Sequence, residues 1–155
     1  MLIAPDLQRV FRDARLRCTR QRQAVYAALA STCSHPSAEE LFDHVRVEEP
    51  GLSLATVYNT LDALCDAGLC RRLPMPGGAN RYDADSRPHA HLALADGRLV
   101  DLPEDLSRVL LDRLTPEFVR EVAARTGTDV RRLSVHLMEC SARGPSDNPS
   151  ARQVR

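Results

Sequence analysis

Along the first half of the chain, apolar residues recur at helical spacing. Leu7, Val10, Phe11 and Ala14 mark a basic amphipathic helix over 6–17. Thr19 caps a second helix running to about Ala30, with Val25, Tyr26 and Leu29 facing inward. Ser37 and Glu40 have the spacing of a capping box for a third over 38–47, whose stripe is Leu41, Phe42 and Val45. Pro50-Gly51 breaks the chain, and Ser53 then caps a fourth helix that Gly68 ends. Two short strand-like pieces follow, Leu69 to Leu73 and Asn80 to Asp83, joined by Pro74-Met75-Pro76-Gly77-Gly78. Helices followed by a hairpin, with a long helix just after a tight turn, is the order of a winged helix-turn-helix.

After residue 86 the pattern changes. His91–Leu94 and Arg98–Leu102 read as strands around an Asp96-Gly97 hairpin turn. Helices over about 104–114 and 116–126 come next, the second with Thr115 as cap, Pro116 in its first turn and Gly127 at its end. Leu133, Val135 and Leu137 alternate as a last strand, and from Ser141 onward the Gly, Pro, Ser and Asn content predicts a disordered tail over 141–155. The fold class is therefore α+β: a helical half with a wing over 1–84, then a small α/β half over 85–140.

The fourth helix is unusual in what it leaves outside. At about 100° per residue, Leu54, Val57, Leu61, Leu64 and Cys65 share one face, and Thr56, Asn59 and Ala63 lie opposite. Ala55 and Thr60 flank these faces and Tyr58 stands at their border. A solvated face ordinarily carries Glu, Lys or Arg. Small, neutral, hydrogen-bonding side chains let a helix sit deep in a major groove, where Asn reads adenine and methyl groups meet thymine. The plainer alternative is an exposed helix of low charge.

The 155 residues are 43% hydrophobic and 27% charged, enough for one globular unit or two small ones. Basic and acidic residues balance at 21 each, so no global basic field exists, and every basic residue is Arg. Residues 1–24 nonetheless carry six Arg (Arg9, Arg12, Arg15, Arg17, Arg20, Arg22) against Asp6 and Asp13, a local patch suited to phosphates. The apolar runs are far too short to span a membrane, and the N-terminus shows no signal-peptide pattern, so the chain reads as cytoplasmic. Cys18, Cys33, Cys65, Cys70 and Cys140 form an odd set without a C-x-x-C pair, which argues against a disulfide framework.

Two of the five histidines form His89-Ala90-His91. In an extended segment, residues i and i+2 point to the same face, so both imidazoles reach one ion. Asp83 ends the wing, Asp101 ends the next strand of the hairpin, and His35 precedes Pro36-Ser37. Three His with two Asp suit a divalent transition metal such as iron(II), manganese(II) or zinc. His44 and His136 have no evident partners and read as ordinary residues.

Together these residues resemble the ferric uptake regulator (Fur) family of bacterial metal-dependent repressors. The likeness runs from Thr19-Arg20-Gln21-Arg22 to Asp101. It includes His35-Pro36-Ser37-Ala38-Glu39-Glu40-Leu41, Ala55-Thr56-Val57-Tyr58-Asn59, Arg81-Tyr82-Asp83 and Pro88-His89-Ala90-His91-Leu92. It implies a cytoplasmic homodimer, not an enzyme, with a winged-helix DNA-binding domain over 1–84 and an α/β dimerisation domain over 85–140. It also implies an inverted-repeat operator. The regulatory ligands fall on His35, Asp83, His89, His91 and Asp101, with Asp85 or Asp96 as substitutes for Asp101. DNA contacts fall on Arg17, Arg20, Ala55, Thr56, Tyr58 and Asn59.

Asp rather than Glu at 83 and 101 resembles the peroxide-sensing branch, in which bound iron(II) reacts with hydrogen peroxide and a ligand histidine is oxidised; His35 and His91 are the candidates. The ion expected is iron(II) or manganese(II), with zinc as the alternative. An uptake regulator without peroxide chemistry is the runner-up. The four thiolates of the family's structural zinc are missing, since 93–97 reads Ala-Leu-Ala-Asp-Gly and only Cys140 stands near the second pair, so no structural zinc is expected. The histidine and acid of another common family site are missing too, with Pro88, Ala90 and Arg108 near those places. Two other classes fit less well. A metallohydrolase needs a general base beside the cluster and has no use for the Thr56–Asn59 helix face. A winged helix that dimerises and binds DNA without metal is the other, and the missing structural zinc is what keeps it in view.

Overall fold

The computed structural model describes residues 4–75, 78–128 and 135–139. The strand expected from Leu133 therefore begins, for this description, at Val135, and Cys140 and the tail over 141–155 lie outside the described residues.

Helix α1 (Ala4–Asp13) stops short of the expected Arg17 because Arg15 takes a left-handed φ of 55° and the Leu16 N–H turns back to the Phe11 carbonyl at 2.8 Å. The next three helices start where the sequence offers a hydroxyl. Helix α2 (Arg20–Ala30) follows Thr19, α3 (Ala38–Val45) follows Ser37 and α4 (Leu54–Asp66) follows Ser53, and each side chain accepts a backbone N–H from the first turn. Ser37 and Glu40 complete the expected reciprocal box. Helix α4 ends before Gly68, whose φ of 73° brings the Leu69 N–H back to the Leu64 carbonyl.

Phe11, Val25, Leu29, Val57, Leu61 and Leu64 meet as a core from which solvent is excluded. Each such side chain contributes about 1.5–3 kcal/mol by burial. Thr60, placed on a flank by its helical angle, is buried as well.

Strands β1 (Arg71–Leu73) and β2 (Arg81–Asp83) form the antiparallel wing, with Arg71 opposite Asp83. A second sheet has the order β4-β3-β5. Its members are β3 (Ala90–Ala93), β4 (Leu99–Asp101) and β5 (Val135–Met138), with β3 antiparallel to β4 and parallel to β5. Helices α5 (Glu104–Leu111) and α6 (Pro116–Thr126) intervene before β5. A small cluster of Leu73, Ala93 and Leu99 joins the wing to this second sheet.

Three hydrogen bonds and registers set the distances that matter for function. The Tyr82 N–H donates to the Pro36 carbonyl at 3.0 Å, pinning the loop of His35 to the strand that ends in Asp83. The β3–β4 register sets His91 opposite Asp101. The buried Ser107 hydroxyl of α5 accepts the Ala90 N–H at 2.7 Å and holds the start of β3. No helix among the described residues is long and apolar enough to cross a membrane.

Candidate metal centre and helix face

His35 sits in the loop before α3 with a φ of 48°. A non-glycine residue at positive φ costs on the order of 1–3 kcal/mol, and a following proline disfavours helical backbone further. The strain turns the imidazole inward, where it is buried with its Nε2 2.7 Å from Asp101 Oδ1. His89, one residue before β3, and His91 within it reach the same place from one face of the extended chain, as the i, i+2 rule requires. Their Nε2 atoms lie 3.1 and 3.6 Å from Asp101 Oδ1. One ligand atom from each of His35, His89, His91 and Asp101 falls within 4.8 Å of all the others. Asp83 borders the group, 3.2 Å from His89 Nε2 and 3.8 Å from His91 Nε2.

The cluster has the electronics of a cation site. Both ring nitrogens of the fully buried His91 and the Nε2 of His89 meet no partner in hydrogen-bond geometry, while carboxylate oxygens of Asp83 and Asp101 face the two Nε2 atoms from 3.1–3.8 Å. A buried polar atom left unpaired costs about 1–3 kcal/mol. The Arg87 carbonyl lies 2.8 Å from His89 Nδ1 and accepts its proton, which leaves the Nε2 lone pair facing the cluster. Such a partner orients an imidazole for metal binding. Three imidazoles with carboxylates are a fitting donor set for iron(II), manganese(II) or zinc. Asp101, whose side chain is 38% exposed, opens the group to solvent.

Asp83 is held by its surroundings. Its Oδ2 accepts from Arg71 Nη2 at 2.9 Å and its Oδ1 from the Asp85 N–H at 2.7 Å. Burial pushes its carboxyl up, yet the His91 ring, the Asp85 amide and Arg71 outweigh it and keep it below the ordinary carboxylate value. The substitutes considered for Asp101 are engaged elsewhere. Asp85 pairs with Arg87, which brings its carboxyl down to about 2, and Asp96 pairs with Arg98.

On α4, Ala55, Tyr58 and Asn59 are exposed and Thr56 half-buried. Tyr58 Oη donates to Glu39 Oε1 of α3 at 2.5 Å, and Thr56 shares its hydroxyl with the cap residue Ser53. Arg17 and Arg20 are exposed before and at the start of α2, and Arg20 Nε pairs with Glu49. His44 is exposed, as an ordinary residue would be.

Residues 13–115 match the model of the ferric uptake regulator family. The chain belongs to that family. The peroxide-responsive repressor PerR of Staphylococcus aureus (strain Mu50) is 34% identical over 91 residues, which span 58% of this chain and 62% of that relative. Among solved structures, the ferric uptake regulator of Vibrio cholerae is similar with a TM-score of 0.65 at 28% identity, over 86% of this chain and 98% of that one. The ferric uptake regulator of Pseudomonas aeruginosa with manganese gives 0.63 at 26% identity, over 88% and 98%.

Two neighbours of the cluster in this Fur-family chain escaped the sequence reading. His136, read there as having no partner, is a correction: the parallel β3–β5 pairing sets it beside His91, with ring centroids 5.2 Å apart. Burial and the two rings of His91 and His35 push its pKa down. Arg71, which the sequence shows only as a strand residue, is the second. Its Nη2 lies 3.0 Å from His89 Nδ1 and also donates to the carbonyls of Asp85 and Arg87, so it holds the 85–89 loop against Asp83. The alternation of the wing, which sets Arg71 opposite Asp83, was the available signal.

Proposed function

We propose that this chain is a metal-dependent, DNA-binding transcriptional repressor, cytoplasmic and homodimeric, that senses peroxide through iron(II) or manganese(II), with zinc as the alternative ion. The regulatory ligands are His35, Asp83, His89, His91 and Asp101. The observation that carries the reading is their origin. His35 and Asp83 come from the winged-helix half, and His89, His91 and Asp101 from the β3–β4 hairpin, with three of the imidazole nitrogens buried and meeting no partner in hydrogen-bond geometry. Drawing these donors in to metal-bond distances of about 2.0–2.2 Å fixes the first half, over 1–84, against the second, over 85–140. It thereby fixes where α4 points. When bound, iron(II) supplies the reactivity toward peroxide. The chain's part is to present His35 or His91 for oxidation, and loss of either as a donor loosens that tie and lowers DNA affinity.

In this reading Ala55, Thr56, Tyr58 and Asn59 meet base edges, and Arg17 and Arg20 meet phosphates. The second half carries exposed apolar side chains, Leu106 (52%), Val109 (59%) and Phe118 (51%), which support its role as the dimerisation surface. Two-fold symmetry then calls for an inverted-repeat operator.

The test is DNA binding by anaerobically loaded iron(II) protein, using a duplex enriched from a random pool, before and after hydrogen peroxide. Release accompanied by one added oxygen atom on the peptide of His35 or of His91 supports the peroxide reading. Metal-dependent binding that peroxide leaves unchanged assigns the chain instead to metal uptake control, a reading supported by its likeness to the Vibrio cholerae regulator.

A further inference from the structure

Cys65 and Cys70, outside the metal cluster, bring their sulfurs to 3.2 Å, about 1 Å beyond a bonded pair. The left-handed Gly68 makes this approach, by folding the chain back on the last turn of α4. The two thiols differ. Cys70 is fully buried, its Sγ directed at Cys65 and at the Leu61 carbonyl. Cys65 is half-buried and lines an open pocket with Asp62, Asp66 and Arg72.

We propose that Cys65 and Cys70 form a redox-active dithiol that hydroperoxides convert to a reversible disulfide between the end of α4 and the start of the wing, without need of the metal. The proposal does not rest on the regulatory-metal reading. Cys65 is the attacking group. The hydrogen bond from Cys70 lowers its pKa most, with a further contribution from Arg72, against burial and the carboxylates of Asp62 and Asp66. The same bond and burial push the Cys70 thiol up, so it stays protonated as the resolving partner. The Cys65 thiolate attacks the outer oxygen of the hydroperoxide. The O–O bond breaks, an alcohol (water, for hydrogen peroxide) leaves with a proton, and Cys65 becomes a sulfenic acid. Cys70 sulfur then attacks Cys65 sulfur. The S–O bond breaks, the hydroxyl leaves as water with the Cys70 proton, and the S–S bond closes. Two thiols have lost two electrons and the peroxide has gained them.

Trypsin reports the result directly, because no Arg lies between 47 and 70 and the 47–71 peptide holds these two cysteines alone. The full chain, stripped of metal with a chelator and reduced, is treated with stoichiometric hydrogen peroxide, alkylated and digested. The expected product is a 47–71 peptide lighter by two hydrogens and free of alkylation, restored by dithiothreitol, while the exposed Cys18 and Cys33 remain alkylated. The His89→Ala/His91→Ala variant should give the same product. Cys65→Ser should abolish it, and Cys70→Ser, which keeps a hydroxyl donor beside Cys65 but cannot close the disulfide, should leave Cys65 as a sulfenic acid that dimedone captures. A 47–71 peptide that stays alkylated in the wild-type chain while Cys18 or Cys33 oxidises overturns the proposal, as does a disulfide that vanishes in the double histidine variant.

Discussion

The Nε2 of His35 lies 2.7 Å from Oδ1 of Asp101, a residue 66 positions further along the chain. One partner belongs to a strained loop before α3, the other to the end of a hairpin in the second sheet. This contact joins the winged-helix half to the rest of the molecule. Asp101→Asn keeps a hydrogen-bonding group facing His35 and removes the charge that a cation requires. Manganese(II) affinity should fall at least about tenfold while the thermal unfolding midpoint of the metal-free protein stays near that of the wild type. Calorimetric titration and circular dichroism check the two halves of that statement.

Arg71 is expected to act through Asp83 and His89, which it touches, and through the loop carbonyls of Asp85 and Arg87. Arg71→Met keeps the bulk of the side chain and removes the guanidinium. Metal affinity should drop about 10–100-fold, the range for groups that orient ligands. The same titration on the variant, with circular dichroism to confirm the fold, provides the check; unchanged affinity removes Arg71 from the site.

The helix face and the arginines should separate in a salt series. Asn59→Ala should cost about 1–3 kcal/mol on the enriched duplex and relax its sequence preference. Tyr58→Phe should change preference less, since its hydroxyl already donates to Glu39. Arg20→Ala should weaken binding to every duplex alike and lower the salt slope by about one unit. Fluorescence anisotropy on selected and scrambled duplexes at two salt concentrations distinguishes these outcomes.

Much of this arrangement was legible in the sequence, for reasons particular residues show. The hydroxyl caps Thr19, Ser37 and Ser53 marked three helix starts because they satisfy backbone N–H groups locally. A two-residue turn at Asp96-Gly97 would face residue 92 with residue 101. The chain instead turns over Ala95, Asp96 and Gly97, with Gly97 at a left-handed φ of 83°, and the register moves by one to set His91 opposite Asp101. His136 was hidden because a parallel partner returns after two helices, and no local pattern states its register. Arg71 was hidden because a guanidinium reaching three oxygen acceptors, on Asp83, Asp85 and Arg87, depends on a loop conformation. Cys65 and Cys70 meet through a glycine turn, and spacing alone does not show that their sulfurs point at one another.

The proposed dimer should persist without metal, because the surface assigned to it is apolar. Leu106, Val109 and Phe118 stand exposed on α5 and α6, and helix α6 buries none of its residues within the chain. Size-exclusion chromatography with light scattering after exhaustive chelation should still show a dimer, and Val109→Asp should convert it toward monomer. A wild-type chain that becomes monomeric on chelation contradicts this.

The most direct test of the regulatory centre is one DNA-binding titration at fixed protein concentration with manganese(II) as the variable, on the wild type and on His89→Ala/His91→Ala. The wild type should bind the enriched duplex only as manganese is added, with half-saturation matching the calorimetric affinity. The double variant, its unfolding transition preserved, should show no manganese dependence at the same concentrations. Equal manganese-stimulated binding by the two proteins would contradict the assignment of the His35, Asp83, His89, His91 and Asp101 cluster as the regulatory site.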